Sequence, residues 1–266
     1  MKSVRTIWAF LVRDVTVAIS YRLDFMLQVS GMIFQIFVLY FASKLIGSHE
    51  SIDRYGGYLP FATIGLATLT FFQTSFRSFA QAVRREQMTG TLESMLMTPT
   101  NVPAIVIGSS VWSIFWGMLQ AGLYVICVSF LFDFELKGSL IMAGLLLGLM
   151  TVFVGSLGVI SASFTIVFKR GDPLGFFVGT LSALVGGAVF PVSLLPSWMQ
   201  KISYLHPFTY GLDGLRSTLL MGESLSSIAT DMVVLVGSVC AIVPLSFFCF
   251  EKALSHARRE GSLIQY

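Results

Sequence analysis

Charge is what this sequence has least of. Lys, Arg, Asp and Glu make up 12% of its 266 residues, while 55% are apolar; an average soluble domain is about 25% charged. A water-soluble fold has too little polar surface to enclose that much apolar area. The ten-residue alternating segments of a membrane β-barrel are missing as well. The three cysteines, Cys127, Cys240 and Cys249, all sit inside apolar runs, with neither metal-site spacing nor the framework of a secreted disulfide scaffold, and are read as bystander thiols. His49, His206 and His256 are far apart in sequence. No G-x-x-x-x-G-K-[ST] phosphate loop occurs, so the chain does not hydrolyse ATP by that route. The apolar runs carry no mid-span Asp, Glu or Lys of the kind ion-coupled carriers commonly use. Energy for any uphill movement must then come from another polypeptide. The net charge of +3 is spread along the chain, which argues against nucleic acid as a partner. Arg5, Arg13 and Asp14 interrupt the N-terminal segment and no small-residue cleavage site follows, so no removable signal peptide is expected.

What the sequence does have is long apolar runs. A helix needs about 20 apolar residues to cross the roughly 30 Å hydrocarbon core, and runs over 25–47, 59–82, 104–132, 140–168, 174–195 and 232–250 meet that length. The fold expected is all-α and integral to the membrane, a single domain of six transmembrane helices. With the N-terminus in the cytoplasm, twelve of the 17 basic residues fall on the inner side, as the positive-inside rule requires. Both termini are then cytoplasmic. Lys169 and Arg170 are among the inner residues, and Lys201 and Arg216 among the outer.

Three segments stand outside this pattern. Before the first span, Val4, Ile7, Trp8, Leu11, Val12, Val15 and Ile19 recur at helical spacing, which predicts an amphipathic helix within 1–24 lying in the membrane interface. Trp8, beside basic residues, favours the headgroup layer over packing on a soluble domain. Residues 191–229 are too polar for a span and too apolar for a free loop, so short helices broken at Pro196 and Pro207 are expected to dip back into the outer leaflet. The third segment follows the second span. Met88, Leu92, Met95 and Leu96 form one apolar stripe among Arg84, Arg85, Glu86 and Glu93, giving a cytoplasmic amphipathic helix over about 84–98, ended by Pro99 and shaped to dock on a partner.

That third segment resembles the signature of type-2 ATP-binding-cassette permeases, E-x-x-x-G-T-L-E-x-x-L-x-T-P, at Glu86, Gly90, Thr91, Leu92, Glu93, Leu96, Thr98 and Pro99. Leu195, Pro196, Trp198, Pro207, Thr209, Tyr210, Asp213, Leu215 and Arg216 resemble the family's re-entrant region before the last span. With six spans and an amphipathic start, the likeness extends over essentially the whole chain. It implies an exporter in a prokaryotic cytoplasmic (inner) membrane, in which two permease subunits, as a homodimer, rest on nucleotide-binding subunits encoded separately. No cofactor belongs to this chain and it is not itself an enzyme; ATP and Mg belong to the ATPase subunit. Arg85, Glu86, Gly90, Thr91, Leu92 and Glu93 become coupling contacts to that subunit. Phe72, Gln73 and Phe76 in the second span, with Phe176, Phe177 and Phe190 in the fifth, are candidates to line a route for an amphipathic substrate such as a drug, lipid or glycolipid; phenylalanine facing lipid is the plainer reading. Export of a lipid-linked polysaccharide and a non-transporting anchor for a soluble partner are the rival functions. Gly144 with Gly148, and Gly175 with Gly179, form G-x-x-x-G pairs that permit close helix approach, expected to serve packing within one subunit.

Overall fold

The computed structural model describes residues 2–47, 50–88, 102–168 and 173–259. Its helices are α1 (Lys2–Ser20), α2 (Arg22–Leu45), the short α3 (Glu50–Asp53), α4 (Tyr58–Met88), α5 (Val102–Phe132), α6 (Leu140–Phe168), α7 (Pro173–Val185), α8 (Ser197–Leu205), α9 (Pro207–Arg216) and α10 (Ala229–Arg259). A 3-10 turn at Val192–Leu194 precedes α8, and a π-helical turn at Ser217–Met221 follows α9. No strand occurs among the described residues, so the all-α class expected from the apolar runs is what the chain forms.

Five of the described helices are long and apolar enough to cross a membrane: α2, α4, α5, α6 and α10. They divide sharply by burial. The most apolar window of α4 is 72% buried within the chain, whereas those of α2, α5 and α10 are 11%, 17% and 17% buried. α4 is therefore the axis of the bundle. Phe61, Phe72, Phe76 and Phe79 line its buried faces against α5 and α6, while α10 packs on α6, α1 lies along α5, and α2 touches α4 only lightly. The outer helices turn large apolar side chains outward, among them Phe34, Phe37, Phe130, Ile141 and Val233. Such a surface is stable only in a medium as apolar as itself.

Several features depart from the sequence expectations. α4 has 31 residues, about 46 Å at 1.5 Å per residue, so it outruns the hydrocarbon core and carries residues 83–88 as a continuous extension rather than as a separate helix. The remainder of the expected cytoplasmic helix, including Gly90, Thr91, Leu92, Glu93, Leu96, Thr98 and Pro99, lies outside the described residues, as do Lys169, Arg170 and His49. The fifth apolar run is helical only from Pro173 to Val185, 13 residues or about 20 Å, short of a full crossing. The chain then leaves the helix at Gly186–Phe190: Gly187 has φ +75°, a left-handed conformation that favours glycine, and Pro191 follows. At Gly144 and Gly148 an added Cβ would meet no atom within 4 Å, so this pair does not serve close packing within the chain; it lies on an open face of α6.

Candidate functional site

Two places hold the residues that sequence reasoning singled out. The first is the far end of α4. Glu86, one turn before the helix ends, is buried, and its Oε1 accepts a hydrogen bond of 2.9 Å from Arg13 Nη1 on α1. Arg13 Nε also donates to Asp14 Oδ1 at 2.8 Å, and Asp14 is buried as well. Burial opposes the charge on Arg13, but its hydrogen bonds to Asp14 and Glu86 and the charges of both outweigh that opposition and raise its pKa. The guanidinium also lies over the Phe10 ring, 4.8 Å from its centroid. Through this cluster α1 holds the point from which the chain leaves α4 toward residues 89–101. Arg84 and Arg85 are exposed on the same turns. Sequence reading selected Glu86 and missed its partner Arg13, because a contact across 73 residues leaves no local spacing signal.

The second place is the irregular region between α7 and α10. Pro196 immediately precedes α8 and Pro207 opens α9, where a missing N–H costs nothing. Trp198 is 65% exposed. Tyr210 donates from its hydroxyl to the Tyr204 carbonyl at 2.9 Å, tying α9 to α8. His206, between the two helices, contacts Ser182 Oγ at 2.8 Å. Because Ser182 gives its own proton to Val178 O, the hydroxyl accepts and His206 Nε2 donates. Burial lowers the His206 pKa to about 4, so the imidazole is neutral at physiological pH.

Arg216, placed by sequence in the re-entrant segment on the outer side, is fully buried. It donates from Nε to Phe61 O at 3.2 Å, from Nη1 to Gly187 O at 2.8 Å and from Nη2 to Ala188 O at 2.9 Å, and its Cζ sits 3.5 Å from the centroid of the Phe61 ring. Asp213 Oδ1 lies 3.7 Å from Nη1. The residues where the fifth run unwinds expose carbonyls that no helix satisfies, and one planar guanidinium takes two of them while holding the backbone of α4. The approach is close enough that a Cβ at Gly65 would overlap the Ala188 carbonyl oxygen. Asp213 and Arg216 thus come together.

The pathway candidates are not brought together. Phe72 and Phe76 are buried, stacked with centroids 6.4 Å apart, and Phe72 also packs edge-on to Phe208 at 4.8 Å. They are core residues of the single chain in this conformation. Gln73 is half-buried and donates to Gly179 O at 3.2 Å, linking α4 to α7. Phe176, Phe177 and Phe190 are exposed at 72%, 63% and 56%. No cluster of His, Cys, Asp and Glu suited to a metal ion occurs among the described residues.

Comparison with known proteins agrees with the architecture. Residues 6–220 match the ABC-2 type transporter family. Inner membrane transport permease YadH of Escherichia coli is 25% identical over 201 residues, covering 74% of this chain and 78% of that protein. Nodulation protein J of Sinorhizobium fredii is 29% identical over 168 residues, 61% of this chain and 62% of that protein. Nodulation protein J of Rhizobium leguminosarum bv. viciae is 25% identical over 213 residues, 79% of this chain and 80% of that protein. With a match that spans most of its length and a bundle of apolar helices to accommodate it, the chain belongs to the ABC-2 type transporter family, as a multi-pass membrane permease subunit whose ATPase is a separate polypeptide.

Proposed function

We propose that this permease exports an amphipathic molecule, a drug, lipid or glycolipid, with residues 85–93 transmitting closure of a nucleotide-binding subunit to the bundle. The observation that carries the reading is the Arg13–Glu86 contact. Glu86 is buried at the end of α4, the most enclosed helix, and a force applied to residues 89–101 enters the bundle through it. The interfacial helix supplies a fixed point against which that force can act. Glu86 then works as an internal strut, and Arg85 and Glu93 are the charged groups offered to the partner.

In this reading Gly90, Thr91 and Leu92 complete the docking segment, two permease copies pair as a homodimer, and both termini face the cytoplasm of a prokaryotic cell. ATP and Mg are held by the partner. Phe176, Phe177 and Phe190, exposed on and just beyond the short α7, are the pathway candidates that still face outward; Phe72 and Phe76 act from behind as packing. The test is ATP-dependent movement of a fluorescent amphipath in vesicles holding the chain with its ATPase subunit. Accumulation that needs both subunits and ATP is expected. A permease that binds the ATPase subunit yet moves neither drug-like, lipid nor glycolipid probes would be an anchor instead.

A further inference from the structure

We propose that a cleft between α2, α4 and α5 binds the uncharged, hydroxyl-rich headgroup of an amphipathic molecule. The cleft encloses about 340 Å³, and its polar lining is Gln28, Gln35, Thr70, Gln120 and Tyr124. All five lie within helices long and apolar enough to span a membrane. An amide left unpartnered there costs free energy, because hydrocarbon offers it nothing in return.

The array is partly fixed. Gln28 Oε1 accepts from Trp116 Nε1 and from Gln120 Nε2, both at 2.8 Å. That holds three side chains from two helices in one orientation. Gln35 makes no hydrogen bond among the described residues, and neither does the amide oxygen of Gln120. The Tyr124 hydroxyl is buried without a partner. Amides and phenols both donate and accept, so their natural complement is a group that does the same, namely a hydroxyl. No Asp, Glu, Lys or Arg is found among the described residues that line the cleft, which disfavours a phosphate, carboxylate or ammonium headgroup. Trp112 and Trp116, with ring centroids 6.0 Å apart, place indole faces beside the array.

What lies next to the cleft supplies the other half of an amphipath. A second cavity of about 350 Å³ is almost wholly apolar, walled by residues that include Phe71, Leu140, Leu147 and Leu215. Ala67 on α4 and Ala121 on α5 border both cavities, so the cleft that carries the amides neighbours a more apolar one. A sugar-sized head and an acyl-like tail match the pair. The volume is at the low end for ligand sites, enough for about one sugar ring rather than an oligosaccharide. This inference rests on the proposed export of an amphipath, and narrows it to a neutral glycoside or polyol headgroup.

The test uses the full chain in a sugar-free amphipol, titrated with octyl β-glucoside, octanol and octyltrimethylammonium below their micelle concentrations while tryptophan fluorescence is followed. A saturable change is expected with octyl β-glucoside alone, weakened at least tenfold in Gln35→Leu and in Gln120→Leu. Gln35→Leu breaks no hydrogen bond of the fold, so it keeps the test decisive if Gln120→Leu folds poorly. A response that does not saturate, that octanol reproduces, or that persists unchanged in Gln35→Leu overturns the proposal and leaves the cleft a water site. ATP-driven vesicle uptake of a fluorescent alkyl glucoside separates the two sources of such a headgroup. Binding and uptake lost together identify a cargo, and binding lost alone identifies a resident lipid; both retain the site. Uptake of other amphipaths with no glucoside binding sinks this inference while leaving the export reading intact.

Discussion

Arg216 is the residue on which the irregular half of the chain depends. A buried guanidinium is costly to desolvate, and here three backbone carbonyls and the Phe61 ring offset that cost. Lysine has one ammonium and cannot span the same acceptors in a plane. Arg216→Lys should therefore destabilise the chain by about 2 to 3 kcal/mol, from carbonyls left unsatisfied at roughly 1–3 kcal/mol each; thermal unfolding of the purified protein checks this, and an unchanged midpoint contradicts it. The strut at Glu86 invites a charge exchange. Arg13→Glu and Glu86→Arg should each lower ATP turnover of the assembled complex, and the double exchange should restore part of it. A double-mutant cycle should give a coupling energy of about 1 kcal/mol, the upper part of the range for partly exposed pairs.

At the scale of elements, the break after α7 sets what α4 can tolerate. Gly65→Ala drives a Cβ into the Ala188 carbonyl, and neither backbone can move without releasing Arg216. The variant should lose most of its folded yield, as measured by monodisperse protein recovered from membranes. The α8–α9 junction carries a pH dependence with a definite sign. His206 is neutral in the fold with a pKa of about 4, against about 6.5 when unfolded. Above pH 6.5 neither state binds a proton there and the stability is full. As pH falls from about 6.5 toward 4 the unfolded state takes up a proton the folded state refuses, removing up to about 3 kcal/mol. The acid-side loss of thermal stability should be smaller in His206→Gln than in the parent chain.

How much of this was written in the sequence differs from element to element. The apolar runs announced the long helices because length and composition suffice to mark them, and Pro196 and Pro207 marked where α8 and α9 begin because proline acts locally. The end of the fifth helix was not legible: Gly186, Gly187 and Ala188 read as a continuing apolar run, and the side chain that takes the carbonyls of the unwound form, Arg216, lies 28 residues beyond Ala188. Arg216 itself was picked out as part of the re-entrant signature, but the carbonyls it takes lie 28 and 29 residues away and leave no local pattern. The partner of Glu86 was hidden for the same reason of distance. Gln28, Gln35 and Gln120 did carry a signal, since amides inside apolar runs need partners, but hydropathy alone cannot say that α2 and α5 bring them together.

At the scale of the molecule, the described residues form a core helix, α4, packed among helices whose outer faces are apolar, with one end of that core helix tied to α1. A permease of the ABC-2 family takes its energy from a separate ATPase, and residues 89–101 are the segment between α4 and α5, at the end of α4 where Arg13 and Glu86 meet. If that segment is the mechanical contact, altering it must change what the ATPase does even though no nucleotide touches it. The most direct measurement is ATP turnover by the purified complex of permease and ATPase subunit in lipid nanodiscs, before and after Glu93→Lys. Turnover should fall about tenfold while the subunits still co-purify, or the complex should fail to assemble. Turnover and assembly both equal to those of the parent complex would contradict coupling through this segment.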